Sequence, residues 1–321
     1  MPVEQRIVGV GKTLIDYKIS SRNQIVSLKE HVEQLQADIL TAESVDIQPG
    51  GMTPNMLAVF TELASSYPSR LLACVGQDQL GDFYQRKTAP SLGQLQRVHD
   101  DTTGIIALVL DEAGIIVDRY VYHGAANRVR VVKEEAEEKN GLLVTDLTLL
   151  TNPSIASDME RLLPSLKRSG GQFVINLAGA HSRFGKREEI LRNLYAFGKE
   201  PDLVFGNEEE YAFLTNTSVA TVEENLQWIF PNSRLVVVTQ AERGALIRFE
   251  GRILHIPPVF VQADAIIDET GAGDCFEGTM LAYLYAKPYY KWNEHEVLQA
   301  GKTAAFAIRV FRCSPEIISL S

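Results

Sequence analysis

Gly271, Ala272, Gly273 and Asp274 stand together inside the stretch DETGAGDCFEGTMLAYL, residues 268–284. After Gly273 the apolar residues Phe276, Met280 and Leu284, with Leu281 and Tyr285 beside them, recur at helical spacing, which predicts a helix beginning near residues 272–274. At a helix start the first amides lack intrahelical partners and the macrodipole is positive, so glycines there leave a bare backbone cradle for an anion. Asp274 falls in the first turn, where the dipole is expected to keep it ionised beside that anion. Phosphoryl transfer suits this arrangement: the cradle holds charge developing on the migrating group, while the carboxylate orients an acceptor hydroxyl and takes its proton. Taken alone, the string reads equally well as an N-capping Asp with turn glycines. No lysine follows in the GxxxxGK[ST] pattern, so a P-loop is excluded, and the G-x-G-x-x-G spacing of a dinucleotide site is missing.

Elements must hold these residues in place. From about residue 142 short β-branched runs alternate with helical patterns: LLVTDLTLL before SDMERLLPSLKRSG, QFVIN before REEILRNLYAFGK, DLVFG before EEEYAFL, and RLVVVT after a polar helical stretch ending in LQWIF. The alternation predicts an α/β fold, a mostly parallel central sheet with helices on both faces, whose ligands bind beyond the carboxyl ends of its strands. Residues 15–27 and 104–124 break the pattern, the second as a hairpin around Asp111 to Gly114. They are expected to pair as a small separate sheet, a lid of residues 15–43 and 104–127 on a body of residues 1–14, 44–103 and 128–321.

Bulk properties narrow the classes. The chain has 321 residues, 45% hydrophobic and 22% charged, enough to bury a substantial core. A formal net charge of -10 argues against a nucleic-acid partner, since binding to a phosphate backbone is carried by clustered Lys and Arg. Cys74, Cys275 and Cys313 are far apart with no CxxC spacing, which points to a reducing compartment, and Cys275 reads as a small buried hydrophobe. The six histidines include no HxxxH or HxH pair, so a metal hydrolase would rest on carboxylates alone. The start MPVEQRIVGV lacks a basic n-region followed by an apolar one, and no apolar run approaches the roughly eighteen residues that span a bilayer. The expectation is a cytoplasmic protein, monomer or homodimer, with no membrane partner.

These motifs together resemble the ribokinase-like (PfkB) carbohydrate and nucleoside kinases over most of the chain. DETGAGDCF looks like their C-terminal signature, commonly D-T-x-G-A-G-D-x-F, which implies Asp274 as catalytic base and Gly271, Ala272 and Gly273 as anion hole. Phe205-Gly-Asn207-Glu-Glu-Glu210 is similar to the family's N-x-x-E motif, where Asn207 and Glu210 would organise Mg2+ and its waters around the phosphates of ATP. Read alone, that string is a helix N-cap with an acidic first turn. Gly9-Val-Gly11-Lys-Thr-Leu-Ile-Asp16 looks like the opening strand and turn whose aspartate grips sugar hydroxyls, and Gly50-Gly51-Met-Thr-Pro-Asn55 resembles the glycine pair and asparagine that approach the same sugar. Asp16 and Asn55 would then clamp a vicinal diol. VVVTQAERGALI, residues 236–247, resembles the strand and turn before the adenine pocket, making Thr239, Gln240 and Gly244 nucleotide-binding candidates. Cys74-Val-Gly76-Gln-Asp78-Gln-Leu-Gly81 looks like the G-x-D-x-x-G turn, a structural feature, and the small sheet corresponds to one that closes over the sugar and excludes water.

The spacing between GVGKTLID and PGGMTPN, the phrase LVFGNEEE and VVVTQ tilt the resemblance toward adenosine kinases. Lys12 stands where an asparagine is usual; a cation there would meet an anionic group on the substrate, the plainer alternative being a solvent-facing turn lysine. A monovalent cation near Asp264 to Asp268 is left open. The resemblance implies an ATP- and Mg2+-dependent kinase acting on a primary hydroxyl of a small-molecule sugar or ribonucleoside. Two alternatives stay beside it: a catalytically silent nucleotide- or sugar-binding sensor of the same architecture, and a kinase for a phosphorylated or anionic sugar that uses Lys12.

Overall fold

The structure is a computed structural model describing residues 6–20, 44–110, 116–131, 141–178, 180, 186–195, 201–228, 230–260, 271–285 and 291–313. In chain order its strands are β1 (Ile7–Val10), β2 (Leu14–Ser20), β3 (Ser44–Gly50), β4 (Ser69–Leu72), β5 (Cys74–Gly76), β6 (Gln96–Val98), β7 (Gly104–Leu110), β8 (Ile116–Tyr122), β9 (Leu142–Asp146), β10 (Gln172–Asn176), β11 (Leu203–Asn207), β12 (Leu235–Thr239), β13 (Ala245–Phe249) and β14 (Arg252–Ile256). Its α-helices are α1 (Met52–Leu63), α2 (Gln79–Leu92), α3 (Leu147–Leu150), α4 (Pro153–Arg168), α5 (Arg187–Tyr195), α6 (Glu208–Thr215), α7 (Val222–Asn225), α8 (Ala272–Tyr285) and α9 (Glu294–Cys313).

Successive side chains of a strand point to opposite faces, and in the main sheet both faces are apolar. Ile7, Val144, Val174, Phe205 and Val237 enter one core with Phe60 of α1 and Met280 of α8; Val8, Leu143, Ile175, Val204 and Val236 enter the other with Met159 of α4 and Tyr211 of α6. A sheet covered on both sides requires such a pattern. Its order is β14-β13-β12-β11-β10-β9-β1-β4, parallel from β4 through β12, with β13 and β14 added as antiparallel strands. The expected α/β architecture is therefore present, though the run LLVTDLTLL divides at Asp146 into β9 and the short α3. Chain order reverses around β1, which has β4 on one side and β9 on the other. The carboxyl ends of β1 and β9 thus flank a topological switch point, where open α/β sheets form their ligand crevice.

The small sheet exists, in the order β3-β2-β7-β8, with β2 and β7 parallel and the outer pairs antiparallel. It holds a minor core of Ile19, Ala107 and Val109. One boundary differs from the sequence expectation: residues 44–50, assigned to the body, form the edge strand β3. SVDIQPG hides this because its Asp, Gln, Pro and Gly are poor strand formers, and Pro49 is tolerated since an edge strand has one side free of ladder bonds. Residues 21–43, and the hairpin tip at 111–115, lie outside the described residues. The Gly76 to Gly81 turn is structural as expected: the Asp78 carboxylate accepts from the Gly81 amide at 2.7 Å and from the Thr103 amide and hydroxyl at 2.7 Å each.

Candidate active site

The helix at the signature begins at Ala272, inside the expected window. Its first amide with an intrahelical acceptor is that of Cys275, which donates to the Gly271 carbonyl at 2.8 Å. Among the described residues the amides of Gly271, Ala272, Gly273 and Asp274 make no hydrogen bond. Gly271 holds φ +79°, a left-handed conformation suited to glycine, and a side chain added at Gly273 would meet nothing within 4 Å. An open row of unused donors therefore lies at the positive end of α8.

Tight packing brings the residues expected to bind substrate to the same place. Helix α8 packs between α1 and α9 and is buried almost all round. The first turn of α1 is entered through Gly51 at φ +111°, and the Asn55 amide closes the first helical bond on the Gly51 carbonyl at 3.0 Å. Pro54 costs nothing there because its missing amide hydrogen would have had no partner. Asn55 then reaches across to α8: its Nδ2 donates to Asp274 Oδ2 at 3.0 Å. Asp16 lies on β2 opposite Gln48, with its carboxylate packed so closely over Gly50 that any side chain at Gly50 would collide with it. Gly50 also accepts a hydrogen bond from the buried Tyr84 hydroxyl at 2.7 Å.

Asp274 differs from the expectation of a carboxylate kept ionised by the helix dipole. Only 8% exposed, it is pushed up to about 7 by burial, with the negative charges of Asp146, Asp16 and Glu210 adding to the rise and the Asn55 hydrogen bond opposing it. Desolvation outweighs the dipole here. The shift puts the group where a general base works best near neutral pH.

Three polar residues of this region escaped the sequence reading. Glu277, one turn beyond Asp274 and 2% exposed, is raised to about 8 by burial and by the charges of Asp274, Asp146 and Glu210. Asn176, at the end of β10, donates through Nδ2 to Glu277 Oε2 at 2.6 Å, while Glu277 Oε1 has no hydrogen-bond partner among the described residues. Asp146 ends β9 and caps α3, accepting from the Leu149 amide at 3.0 Å and the Thr148 hydroxyl at 2.5 Å on one oxygen and from Thr53 of α1 at 3.1 Å on the other. The signal of Asp146 and Glu277 in the sequence was a carboxylate set inside an apolar run, as in LLVTDLTLL and CFEGTML; Asn176 had only its place at the end of the apolar run QFVIN.

Asn207 and Glu210, expected from the sequence to face the nucleotide, form a capping box: the Glu210 amide donates to Asn207 Oδ1 and the Asn207 amide to Glu210 Oε2, each at 2.9 Å. Thr239 lies directly beside Asn207 in the sheet, so both sit at the carboxyl ends of their strands. Gln240 and Gly244 belong to the turn joining β12 to β13, where the Gln240 amide donates to the Gly244 carbonyl at 2.8 Å. Arg243 pairs with Glu208 across this corner. Among the described residues no three His, Cys, Asp or Glu side chains converge as a metal cage. The buried Glu210 carboxylate is a single hard oxygen donor whose charge reaches Asp274, which fits Mg2+, an ion that keeps most of its waters and takes phosphate oxygens as ligands. Asp264 to Asp268 lie outside the described residues. Lys12 is not a solvent-facing turn lysine: it is 5% exposed, and burial lowers its pKa with Asp146 opposing.

A ribokinase-like sheet, a small second sheet and an open helix N-terminus beside a buried carboxyl define a kinase of small hydroxylated molecules. The model of the pfkB family carbohydrate kinases matches residues 6–317, and the chain belongs to that family of phosphotransferases with an alcohol acceptor. It is 27% identical to a fructokinase of Vibrio alginolyticus over 259 residues, covering 79% of this chain and 81% of that one. It is also 22% identical to the adenosine kinase of Schizosaccharomyces pombe over 333 residues, covering 92% and 95%. Among solved structures, a fructokinase from Vibrio cholerae O395 bound to fructose, ADP and calcium superposes with a TM-score of 0.75 at 22% identity, covering 96% of this chain and 93% of that one. The similarities thus extend over both the sugar and the nucleoside branch. Among the described residues no helix is long and apolar enough to cross a membrane.

Proposed function

We propose that the protein transfers the γ-phosphoryl group of ATP to a primary hydroxyl of a sugar or ribonucleoside, releasing ADP. The observation that carries this is the bond from Asn55 to Asp274 beside the unused amides of residues 271–274, which unites an acceptor ligand, a base and an anion cradle. Asp16 and Asn55 would hold adjacent hydroxyls, with the Gly50 and Gly51 backbone against the acceptor. Asp274 removes the proton of the reacting hydroxyl as its oxygen attacks phosphorus, and Gly271, Ala272 and Gly273 donate to the oxygens on which charge accumulates. Asn207 and Glu210 would hold Mg2+ through water, and the bound ion neutralises phosphate charge. Thr239, Gln240 and Gly244 would border the nucleotide, and a cytoplasmic setting fits the buried Cys74, which forms no disulfide among the described residues.

The test is Asp274→Asn in an ADP-release assay over nucleosides, free sugars and sugar phosphates. Turnover is expected to fall about 10²- to 10⁴-fold, the usual contribution of a positioned base. Melting temperature should hold or rise, because the amide needs no charged form in a buried site. Wild-type turnover in the variant would overturn the assignment. Ligand-dependent stabilisation of the native enzyme without ADP release from any acceptor would instead identify a silent sensor.

A further inference from the structure

Asp146 ends β9 at the switch point and is fully buried, yet none of the steps above uses it. One of its oxygens, accepting from the Leu149 amide and the Thr148 hydroxyl, caps α3. A serine or asparagine would cap so short a helix equally well without burying a charge. The other oxygen turns to α1, where it accepts from the Thr53 hydroxyl at 3.1 Å. Thr53 is itself buried and lies in the same first turn as Asn55. That turn has no side-chain cap of its own, since its N-cap residue is Gly51. At about 100° per residue, the two side chains leave the helix on nearly opposite sides, Thr53 toward β9 and Asn55 toward α8. Contacts thus run unbroken from Asp146 through Thr53 and one helical turn to Asn55 and Asp274.

We propose that Asp146 is a positioning residue of the phosphoryl transfer: bound to Thr53, it fixes the first turn of α1 and so the Asn55 side chain that holds Asp274. This rests on the kinase reading above and adds to it a residue that acts only through its neighbours. Helix ends fray, and the buried bond to Asp146 replaces the side-chain cap that α1 lacks. The charge of Asp146 makes a second contribution. It is the foremost of the charges acting on Asp274, ahead of Asp16 on β2 and Glu210 on α6, while Glu277 on α8 feels Asp274 in turn and Lys12 after β1 is a cation that Asp146 itself acts on. At Asp274 the two contributions have opposite signs: the Asn55 bond favours the carboxylate, and the Asp146 charge favours the neutral acid. Removing them one at a time therefore moves the base in opposite directions, which a purely structural residue would not do.

The test compares Thr53→Val with Asp146→Asn in the full chain. Thr53→Val keeps the shape of the side chain and the charge of its partner but deletes the hydroxyl. Asp146→Asn removes the charge, while the amide oxygen still caps α3 and the amide nitrogen can donate to the Thr53 hydroxyl. The carboxyl carbon resonance of Asp274, assigned by its absence in Asp274→Asn, is titrated by NMR without ligands. Its midpoint is expected to rise in Thr53→Val, where Asn55 is released, and to fall in Asp146→Asn. In ADP-release assays with adenosine, ribose and fructose, kcat/KM should drop about tenfold to a hundredfold in Thr53→Val, the scale of a misplaced reacting group. The acid limb of its pH profile should move to lower pH in Asp146→Asn. Thr53→Ser, which keeps the hydroxyl, should recover most of the Thr53→Val loss. A midpoint that stays put in either variant, or moves the same way in both, overturns the proposal, as does a Thr53→Val protein that melts lower but keeps native kcat/KM. Where one variant fails to fold, the sign of the other midpoint decides. Failure of the kinase reading shows separately, as no ADP release from any of these acceptors by the native protein while the two midpoints still move apart.

Discussion

Asp274 and Glu277 are two buried acids one helical turn apart, and their environment sets the order in which they ionise. Asp274 loses its proton near 7, and its charge is one cause of the rise of Glu277 to about 8. The pair titrates as a unit, with Asn176 hydrogen-bonded to Glu277, Asn55 to Asp274, and Asp146 and Glu210 supplying negative charge from β9 and α6. In the unfolded chain both acids ionise near their ordinary values of 3.8 and 4.5, so above about pH 4 the folded state binds more protons than the unfolded one. Stability contributed by the two groups is thus fully present below those ordinary values and is lost as pH rises through 7 and 8. Unliganded protein should melt progressively lower between about pH 4 and pH 8 and level off above that, and Glu277→Gln should flatten the upper part of that decline. Parallel melting curves for the two proteins would show that Glu277 ionises as freely in the fold as in water.

At the scale of elements, the site depends on how closely α1 and α8 approach. Gly278 makes the contact possible: a Cβ there would lie 2.5 Å from the Met56 carbonyl and 2.9 Å from Val59 Cβ. Gly278→Ala should force the helices apart, costing about 1–3 kcal/mol as overpacking usually does. Because Asn55 is on one helix and Asp274 on the other, turnover should fall along with the denaturation midpoint. Lost stability with unchanged turnover would show that the Asn55 to Asp274 bond tolerates the shift. Much of this level was legible in the sequence. The helix start at Ala272, the strands ending at Asn207 and Thr239, and the small sheet follow from local periodicity and turn residues. The expected pairing of residues 15–27 with 104–124 is present as β2 beside β7, but nothing local marks that the two run parallel, or that Asp146 is the partner of Thr53 on α1. The pKa of Asp274 follows from how deeply α8 is buried between its neighbours, which an apolar pattern alone does not disclose.

Among the described residues the molecule has an eight-stranded sheet, a four-stranded sheet and the two-stranded pair β5-β6, and the chain passes repeatedly between the first two. The chain crosses between them around Gly11 to Thr13, at Gly51, at Thr103 and at His123, and the crossings pack on one another. A side chain at Gly51 would collide with the Lys12 carbonyl, and one at Gly104 would sit 2.5 Å from the His123 carbonyl. Crossings gathered this tightly leave rotation about them as the easiest motion of the small sheet, and Asp16 on β2 would move with it. Closure over the acceptor would remove water from the phosphoryl group, which otherwise competes as acceptor. Hydrogen exchange of the full chain, followed with nucleotide alone, acceptor alone and both together, tests this. Amides of Leu14–Ser20 and Gly104–Leu110 should slow most when acceptor is present, whereas Leu203–Asn207 and Leu235–Thr239, within the main sheet, should change little. Equal slowing of both sheets would mean general tightening, and no change in β2 and β7 would mean that the small sheet is a fixed wall through which acceptors must thread.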